Sequence, residues 1–264
     1  MKKIITIFLF ICSFLGFSFI EKEVKVYSES MKKDITVTVI LPNGYSKDKS
    51  YSTIYTLHGW TATNRSFSDN TSIGQLSDKY SIIYISPDGD NNSWYIDSEI
   101  KENSKYTTFI SKELVNYIDA NYSTKKDRKQ RAITGFSMGG YGALYIGIKN
   151  PDIFGNIGSM SGGVNPEKIK KNYEIKKVMN GNWKKYNIKD IAYFAKDKNF
   201  NIIIDCGVSD FFIEMNRELH SKLVSLDIKH DYIERFGSHD WGYWNNSFEY
   251  QTYFFYKNFS QNIN

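Results

Sequence analysis

Ser137 lies in the pentapeptide Gly135–Gly139, whose sequence Gly-Phe-Ser-Met-Gly fits the pattern Gly-x-Ser-x-Gly. In this pattern the serine occupies a sharp turn between a strand and a helix, and the flanking residues are small because strand and helix nearly collide there. A serine held in this way can attack an acyl carbonyl carbon as a nucleophile. The pattern is short, but here it follows a strand-like segment and precedes a helical one, as the turn requires. We therefore predict that Ser137 is a catalytic nucleophile.

A serine hydroxyl needs a neighbouring base, and histidine is the usual one. The chain contains four histidines. His239 lies in a glycine-containing loop just after the last predicted strand and follows the nucleophile in the chain. His58 precedes the nucleophile, His220 falls in a helical segment and His230 begins a strand. The chain order and the loop position favour His239 as the base.

An acid must orient the histidine and stabilise its charged form. Asp210 lies in the loop after the next-to-last predicted strand and opens a helical segment. Asp205 is the alternative, but it lies inside the strand, where its side chain would face a packed surface. Asp240 adjoins His239 and cannot easily fold back onto it. We therefore predict Asp210 as the acid of a serine–histidine–aspartate triad.

The tetrahedral intermediate of acyl transfer carries a negatively charged oxygen, which backbone N–H groups must stabilise. We expect one donor from Met138, the residue after the nucleophile, and the other from the loop after the third strand. That loop has the sequence Leu57-His58-Gly59-Trp60, and its glycine lets the backbone turn its amides inward. We predict Trp60 as the second donor. An ordinary glycine turn is the alternative.

Segments rich in β-branched and aromatic residues alternate with segments of helical periodicity along most of the chain. The predicted strands are Val24–Tyr27, Ile35–Leu41, Tyr51–Leu57, Ser81–Ser86, Arg131–Thr134, Asn156–Met160, Asn201–Cys206 and Asp231–Arg235. The predicted helices include Thr107–Tyr122, Ser137–Lys149 and Phe211–Leu226. This alternation predicts an α/β fold with a mostly parallel central sheet, helices on both faces and an antiparallel pair at one edge. The polar segment 165–198 is predicted as an inserted cap over the cleft.

The first twenty residues have the pattern of a secretory leader. A lysine pair at the N-terminus precedes an almost unbroken apolar run, Ile4–Ile20, and Gly16 and Ser18 are the small residues expected before a cut after Ser18. An uncleaved membrane anchor is the alternative, because the run reaches the lower length limit for spanning a bilayer. Both alternatives place one folded domain, residues 21–264, outside the cytoplasm. We predict an exported protein that contacts a membrane only if this segment is retained.

Composition narrows the remaining function classes. The 264 residues are 41% hydrophobic and 24% charged, which is typical of a globular α/β domain. The net charge of +5 comes from scattered lysines without a basic stripe, so we expect no nucleic-acid partner. The calcium-like stretch 88–92 has Ser93 where such a loop requires glycine, and we expect neither a metal nor a cofactor. Cys206, the only cysteine after the leader, is expected to be buried and inert.

Together these residues resemble the esterase branch of the α/β-hydrolases. That branch contains S-formylglutathione hydrolases, the feruloyl and acetylxylan esterases of carbohydrate esterase family 1, and the mycolyl-transferring antigen 85 proteins. The likeness runs from about Val24 to the C-terminus, and its most specific pieces are Leu57–Gly59, Arg131–Ala143, Asp205–Asp210 and Gly237–Trp241 with Trp244. The resemblance implies the α/β-hydrolase fold, and the same triad and oxyanion donors that the residues themselves predict.

We therefore expect an exported serine carboxylic-ester hydrolase that works through an acyl-enzyme. Export disfavours a glutathione thioester as substrate and favours acetyl or feruloyl esters on polysaccharides. Trp241 and Trp244 are candidate platforms for sugar rings, with packing around the histidine loop as the alternative. A general short-acyl esterase, an S-formylglutathione-hydrolase-like thioesterase and an acyltransferase are the other hypotheses within enzymes. A catalytically silent binding protein would have a broken triad, whereas all three members are present here.

Overall fold

The structure is a computed structural model that describes residues 19–171 and 173–261. Its strands are β1 Ile20–Ser28, β2 Lys33–Leu41, β3 Ser52–Leu57, β4 Ile82–Pro87, β5 Arg131–Gly135, β6 Asn156–Met160, β7 Asn201–Gly207 and β8 Asp231–Arg235. Its helices are α1 Ser66–Asn70, α2 Ile73–Tyr80, α3 Tyr106–Thr108, α4 Val115–Asn121, α5 Met138–Lys149, α6 Trp183–Tyr186, α7 Ile188–Ile191, α8 Ile213–Ser225 and α9 Trp241–Gln261. A π-helical segment, Phe109–Leu114, joins α3 to α4.

The strands form one sheet in the order β1-β2-β4-β3-β5-β6-β7-β8. β1 pairs antiparallel with β2 and β2 pairs antiparallel with β4, whereas the pairs from β4 to β8 are parallel. The carboxyl ends of the parallel strands meet at one edge, so the loops after β3, β5, β7 and β8 converge there. This architecture confirms the predicted mostly parallel α/β sheet with an antiparallel pair at one edge.

Successive side chains of a strand face opposite sides of a sheet, and here each side carries its own apolar core. In β3, Ile54 belongs to the core that contains Phe248 of α9, whereas Tyr55 belongs to the core that contains Leu144 of α5. Both β3 side chains are fully buried. Helices therefore cover both faces of the sheet, which explains why the central strands read as continuous apolar runs.

Segment 165–198, predicted as an inserted cap, is packed in large part against the body of the domain. It forms the short helices α6 and α7, and Ile175, Tyr186 and Ile188 are fully buried. The Tyr141 hydroxyl of α5 donates to the Tyr186 carbonyl at 2.9 Å. Single apolar residues, spaced irregularly among polar ones, anchor this segment in the core. Because their spacing matches neither the period of a strand nor that of a helix, the sequence pattern did not predict their burial.

The long helix α9 is not among the predicted helices. Its buried side chains recur at helical spacing, namely Phe248, Gln251, Phe255 and Phe259. Its exposed face also carries aromatic residues, namely Tyr250, Tyr253 and Tyr256. Because aromatic residues occupy both faces, the contrast between an apolar and a polar face is weak, and that contrast is the signal by which a sequence reveals an amphipathic helix.

β1 begins nearer the N-terminus than predicted, at Ile20, which pairs with Leu41 of β2. A cut after Ser18 would leave this strand whole. The rest of the predicted leader, residues 1–18, lies outside the described residues. Within the described residues, no helix combines the length and the apolar composition needed to cross a membrane.

Candidate active site

Ser137 lies at the turn between β5 and α5, with a φ of 56° and a ψ of −117°. A non-glycine residue rarely adopts this conformation, and such strain is concentrated at functional turns. Gly135 ends β5 and Gly139 lies in the first turn of α5. A Cβ atom at either position would collide with the Leu57 carbonyl oxygen of β3. The close approach of the strand and the helix therefore requires the two flanking glycines, and the turn leaves Ser137 partly exposed.

A chain of hydrogen bonds joins Ser137 to Asp210 through His239. His239 Nε2 lies 2.9 Å from Ser137 Oγ, and His239 Nδ1 lies 2.8 Å from Asp210 Oδ2. A carboxylate accepts hydrogen bonds, so Nδ1 donates, and Nε2 of the neutral imidazole accepts from the serine hydroxyl. This arrangement is the one that a serine nucleophile, its base and an orienting acid require. The fold thus brings together the three residues predicted as the triad.

Asp210 and His239 lie on the loops after β7 and β8, which backbone hydrogen bonds hold side by side. The Asp210 side chain has no solvent-exposed surface, and its Oδ1 accepts from the Phe212 N–H at 2.8 Å. The rings of Phe211 and Phe212 flank the imidazole, with ring centroids 4.2 Å and 5.1 Å from that of His239. These contacts hold the carboxyl group and the imidazole in register with Ser137.

Asp205, the alternative acid, lies inside β7 and belongs to a different network. Its Oδ2 accepts from Nε2 of Gln251 in α9 at 3.0 Å, and the Arg235 guanidinium lies 4.0 Å away. Gln251 in turn accepts from the Thr134 hydroxyl of β5 at 2.5 Å. Burial raises the pKa of the Asp205 carboxyl to about 6, although the Gln251 amide and the Arg235 guanidinium both act to lower it. This network ties α9 to the sheet, and the hydrogen bonds given above do not extend it to Ser137.

The two predicted oxyanion donors lie at the strand edge that holds Ser137. Trp60 follows β3, and Met138 opens α5. Within the described residues, no acceptor takes the backbone N–H of either one. The first N–H groups of a helix have no partner inside it, so the Met138 amide is available to an incoming anion.

His58, on the same loop as Trp60, is buried and hydrogen-bonded through both ring nitrogens. Its Nε2 accepts from the Gly89 N–H at 2.7 Å, so the ring proton is on Nδ1, which donates to the Gly59 carbonyl at 2.8 Å. The C=O and N–H of a trans peptide face opposite directions. The bond to Gly59 therefore turns the N–H of Trp60 away from His58, and it orients the peptide that carries the predicted donor.

A cleft of about 280 Å³ opens over Ser137 and His239. Its aromatic lining consists of Trp60, Phe136, Tyr173, Phe211, Trp241 and Trp244, and the described residues that line it include no lysine, arginine, aspartate or glutamate. Trp241 is partly exposed, whereas Trp244 is 7% exposed and stacks on Phe136 with ring centroids 4.6 Å apart. Of the two predicted platforms, Trp241 can contact a ligand, while Trp244 mainly packs beneath the cleft.

Residues absent from the predicted site include Phe211 and Tyr173, which line the cleft, and His58, which supports it. Phe211 stands directly after Asp210, and an aromatic residue beside the predicted acid is a signal that could have found it. Tyr173 lies in the irregular segment 165–198 and has no comparable signal. His58 is adjacent to the predicted oxyanion loop, but its hydrogen bonds depend on Gly89, which comes from a loop distant in sequence.

The remaining sequence candidates have structural partners. Cys206 is buried in β7, and burial raises the pKa of its thiol, which keeps it protonated and unreactive. In the calcium-like stretch, Asp88 Oδ1 accepts from the Asp90 N–H at 2.8 Å, and Asp90 pairs with Lys101 at 3.2 Å. The described part of the chain holds no group of three or more His, Cys, Asp or Glu that could bind a metal ion.

The sequence matches the profile of the Esterase family, which is described as "Putative esterase", over residues 28–254. An acetyl esterase from Caldicellulosiruptor saccharolyticus is 29% identical over 263 residues, and the alignment spans 87% of this chain and 97% of that protein. This agreement in family confirms the resemblance predicted from the sequence.

Solved structures of related folds cover almost the whole chain. The apoenzyme of S-formylglutathione hydrolase from Staphylococcus aureus superposes with a TM-score of 0.80 at 20% identity, over 90% of this chain and 99% of that one. A ferulic acid esterase superposes with a TM-score of 0.77 at 25% identity, over 92% of this chain and 100% of that one. These superpositions confirm the α/β-hydrolase fold. Because the family profile spans most of the chain, the protein belongs to the Esterase family and is an ester-hydrolysing enzyme of the α/β-hydrolase fold.

Proposed function

We propose that this protein is an exported serine carboxylic-ester hydrolase that removes acetyl or feruloyl groups from polysaccharides through an acyl-enzyme. The observation that carries the proposal is the hydrogen-bonded chain Ser137–His239–Asp210 at an aromatic cleft. His239 takes the proton of Ser137 as its Oγ attacks the ester carbonyl carbon, and Asp210 stabilises the imidazolium. The N–H groups of Trp60 and Met138 stabilise the oxyanion.

Collapse of the tetrahedral intermediate completes acylation. His239 gives its proton to the leaving alcohol, the bond between that alcohol and the acyl carbon breaks, and the acyl group remains on Ser137. Water then attacks the acyl carbon while His239 accepts its proton. The second intermediate collapses in the same way, which frees the acid and regenerates the serine hydroxyl.

The lining of the cleft supports a neutral ester as substrate. Aromatic rings offer apolar contact area, and the described lining has no lysine or arginine to pair with the carboxylates of glutathione. The acetyl esterase and the ferulic acid esterase among the similar proteins support acetyl and feruloyl groups as the acyl part. The similarity in fold to an S-formylglutathione hydrolase makes a thioesterase the second candidate.

We also propose that residues 21–264 form a single esterase domain that the preceding leader directs out of the cytoplasm. The charged start and the apolar run Ile4–Ile20 support this proposal. Expression in the parent cell, fractionation and sequencing of the mature N-terminus test it. An N-terminus at residue 19 in the external fraction is expected, and a cytoplasmic chain with an intact N-terminus would contradict the proposal.

Acid release from acetylated and feruloylated xylan, with p-nitrophenyl acetate and S-formylglutathione for comparison, tests the substrate class. We expect rates on at least one polymer that equal or exceed the rate on the small ester. Fast turnover of S-formylglutathione alone would favour the thioesterase instead. The control is Ser137→Ala, for which kcat is expected to fall by a factor of about 10⁶. If its turnover were unchanged, the assignment of the nucleophile would be wrong.

A further inference from the structure

Three exposed apolar side chains lie on the loops after β7 and β8, the loops that also carry Asp210 and His239. Phe211 is 60% exposed and Phe236 is 92% exposed, and Val208 adds a further 42% exposed side chain. Phenylalanine is usually buried, and an exposed apolar group of this kind marks an interaction site when it adjoins a cleft. The amide of Val208 donates to the Arg235 carbonyl at 2.9 Å, which places the two loops that carry these side chains next to each other.

The chemistry of ester cleavage decides which part of a substrate lies on this side. His239 Nε2 must protonate the leaving oxygen, so the alcohol oxygen lies within hydrogen-bond reach of the imidazole. In the proposed mechanism the carbonyl oxygen is held by the amides of Trp60 and Met138 instead. Phe211 lines the cleft and lies against the imidazole, with ring centroids 4.2 Å apart and an interplanar angle of 37°. Trp244 also lines the cleft and contacts the imidazole, but it is 7% exposed, so Phe211 is the more available of these two rings for contact with the alcohol part.

We propose that Phe211 forms the alcohol subsite of this enzyme, with Phe236 of the neighbouring loop as an outer contact, and binds a ring-bearing alcohol, either a sugar or an aryl alcohol, by contact with the flat face of the ring. The proposal rests on the serine mechanism proposed above and assigns the substrate's alcohol side to named residues. An exposed ring offers a large apolar face at little cost in conformational entropy. The lack of charged side chains in the described lining suits a neutral ring.

The same subsite would receive an acceptor alcohol in acyl transfer, because the reverse of acylation follows the same path. The alcohol oxygen bonds to the acyl carbon, its proton passes to His239, the bond to Ser137 Oγ breaks, and the proton returns to the serine. Alcohol and water then compete for one acyl-enzyme. The ratio of ester to acid formed depends on the alcohol subsite, and it does not depend on the ester that supplied the acyl group.

The test forms the acetyl-enzyme from p-nitrophenyl acetate and measures how it partitions between water and an added alcohol. Release of p-nitrophenol counts total turnover, and release of acetic acid counts hydrolysis. The alcohols are benzyl alcohol, methyl β-xyloside and, as the ringless comparison, ethanol. The variants are Phe211→Ala, Phe211→Leu, which keeps an apolar contact with His239 without a ring, and Phe236→Ala. Phe194→Ala is the matched control, because Phe194 is 40% exposed and does not line the cleft.

For both Phe211 variants we expect partition toward at least one ring alcohol to fall about tenfold, which corresponds to the loss of one favourable ring contact. A loss confined to the xyloside identifies a sugar, and a loss confined to benzyl alcohol identifies an aryl alcohol. Phe236→Ala is expected to lower the same partition about twofold, and ethanol partition is expected to stay constant. The Phe211 variants are also expected to lower kcat/KM for hydrolysis of benzyl acetate relative to ethyl acetate. This second ratio tests the proposal even if the wild type transfers the acetyl group to no alcohol.

An equal loss for ethanol and ring alcohols would mean that Phe211 only positions His239, and it would overturn the proposal. The proposal would also be overturned if the Phe211 variants changed neither the partition ratio for acyl transfer nor the kcat/KM ratio for hydrolysis of benzyl and ethyl acetate. These outcomes differ from failure of the proposed function, in which turnover would persist in Ser137→Ala. If turnover depends on Ser137, a negative result contradicts only the assignment of the alcohol subsite.

Discussion

Asp205 and Asp210 lie on one strand–loop segment and are both buried, yet they serve different parts of the molecule. Both Asp210 oxygens accept from well-placed donors, one from His239 Nδ1 and the other from the Phe212 amide. Asp205 accepts from the neutral Gln251 amide, and its nearest cation, Arg235, is 4.0 Å away. Burial of an acid therefore does not show which of the two meets His239. The loop position of Asp210 matters, because only there can a residue of the next loop reach it.

The two acids also belong to chains of polar groups on different elements. The Asp210 chain ends at Ser137, at the edge where the loops meet. The Asp205 chain runs through Gln251 to Thr134 and binds α9 to the sheet. One chain can move a proton, whereas the other holds a helix in place. The following predictions test this division, from the largest expected effect to the smallest.

The sharpest test replaces each acid by its amide. In Asp210→Asn an amide N–H can meet His239 Nδ1, which favours the wrong tautomer, and kcat on p-nitrophenyl acetate is expected to fall by about 10⁴. In Asp205→Asn kcat is expected to stay within about threefold, because its network does not reach the nucleophile. Steady-state kinetics of the two matched variants measures this. Equal losses in both would contradict the division.

The second prediction concerns stability. The folded-state pKa of Asp205 is about 6, above the ordinary value of 3.8. Between these two pH values the folded state therefore binds more protons than the unfolded state. The free energy of unfolding of the wild type consequently falls as pH rises from 3.8 to about 6. Relative to Asp205→Asn, the wild type is expected to lose about 3 kcal/mol of unfolding free energy between pH 3.5 and pH 7. Urea unfolding of both proteins across this range measures the difference. A pH-independent difference would show that Asp205 titrates normally.

The third prediction concerns the support of the oxyanion loop. His58→Asn cannot bridge the Gly89 N–H and the Gly59 carbonyl at once, so the Trp60 amide loses its orientation. We expect kcat to fall about 10- to 100-fold with little change in KM, somewhat less than removal of a donor would cost. The affinity of a trifluoromethyl ketone, which forms a tetrahedral oxyanion on the serine, should fall by the same factor.

His220→Asn is the control for this substitution. His220 lies on α8, its ring is hydrogen-bonded to that of His230, and it does not line the cleft. Its kinetics and its inhibitor affinity are expected to match the wild type. A fall in the melting temperature of His58→Asn with unchanged kcat and inhibitor affinity would mean that His58 has only a structural role.

The smallest expected effect is at the far end of the Asp205 chain. Thr134→Val keeps the shape of the side chain but removes the hydroxyl that donates to Gln251 at 2.5 Å. Loss of a buried hydrogen bond is expected to lower the unfolding free energy by about 1 kcal/mol. Urea unfolding and kcat are measured together. If kcat fell by more than the fraction of folded protein, the Asp205 network would contribute to catalysis. That result would contradict the division between the Asp205 and Asp210 chains.

The sequence predicted the sheet and the order of the catalytic candidates better than it predicted the walls of the cleft. Ser137, Asp210 and His239 each follow a strand, and the carboxyl ends of parallel strands converge by topology. Tyr173 reaches the cleft from segment 165–198, which has no regular period, and Trp244 turned inward to stack on Phe136. Side chains of this kind are placed by contacts between distant segments, which no local pattern records.

The sequence by itself determined the features that depend on local steric limits and on residue periodicity. The glycines beside Ser137, the apolar strands and the loop that follows each strand are all set by backbone geometry within a few residues. Only the tertiary structure decided that Asp205 faces Gln251 while Asp210 meets His239, that the Gly89 N–H holds the His58 ring that orients the Trp60 peptide, and that Phe211 lies exposed against the imidazole. The reason is physical: each of these contacts joins residues far apart in the chain, and their distance and orientation are fixed only when the whole sheet and its helices pack together.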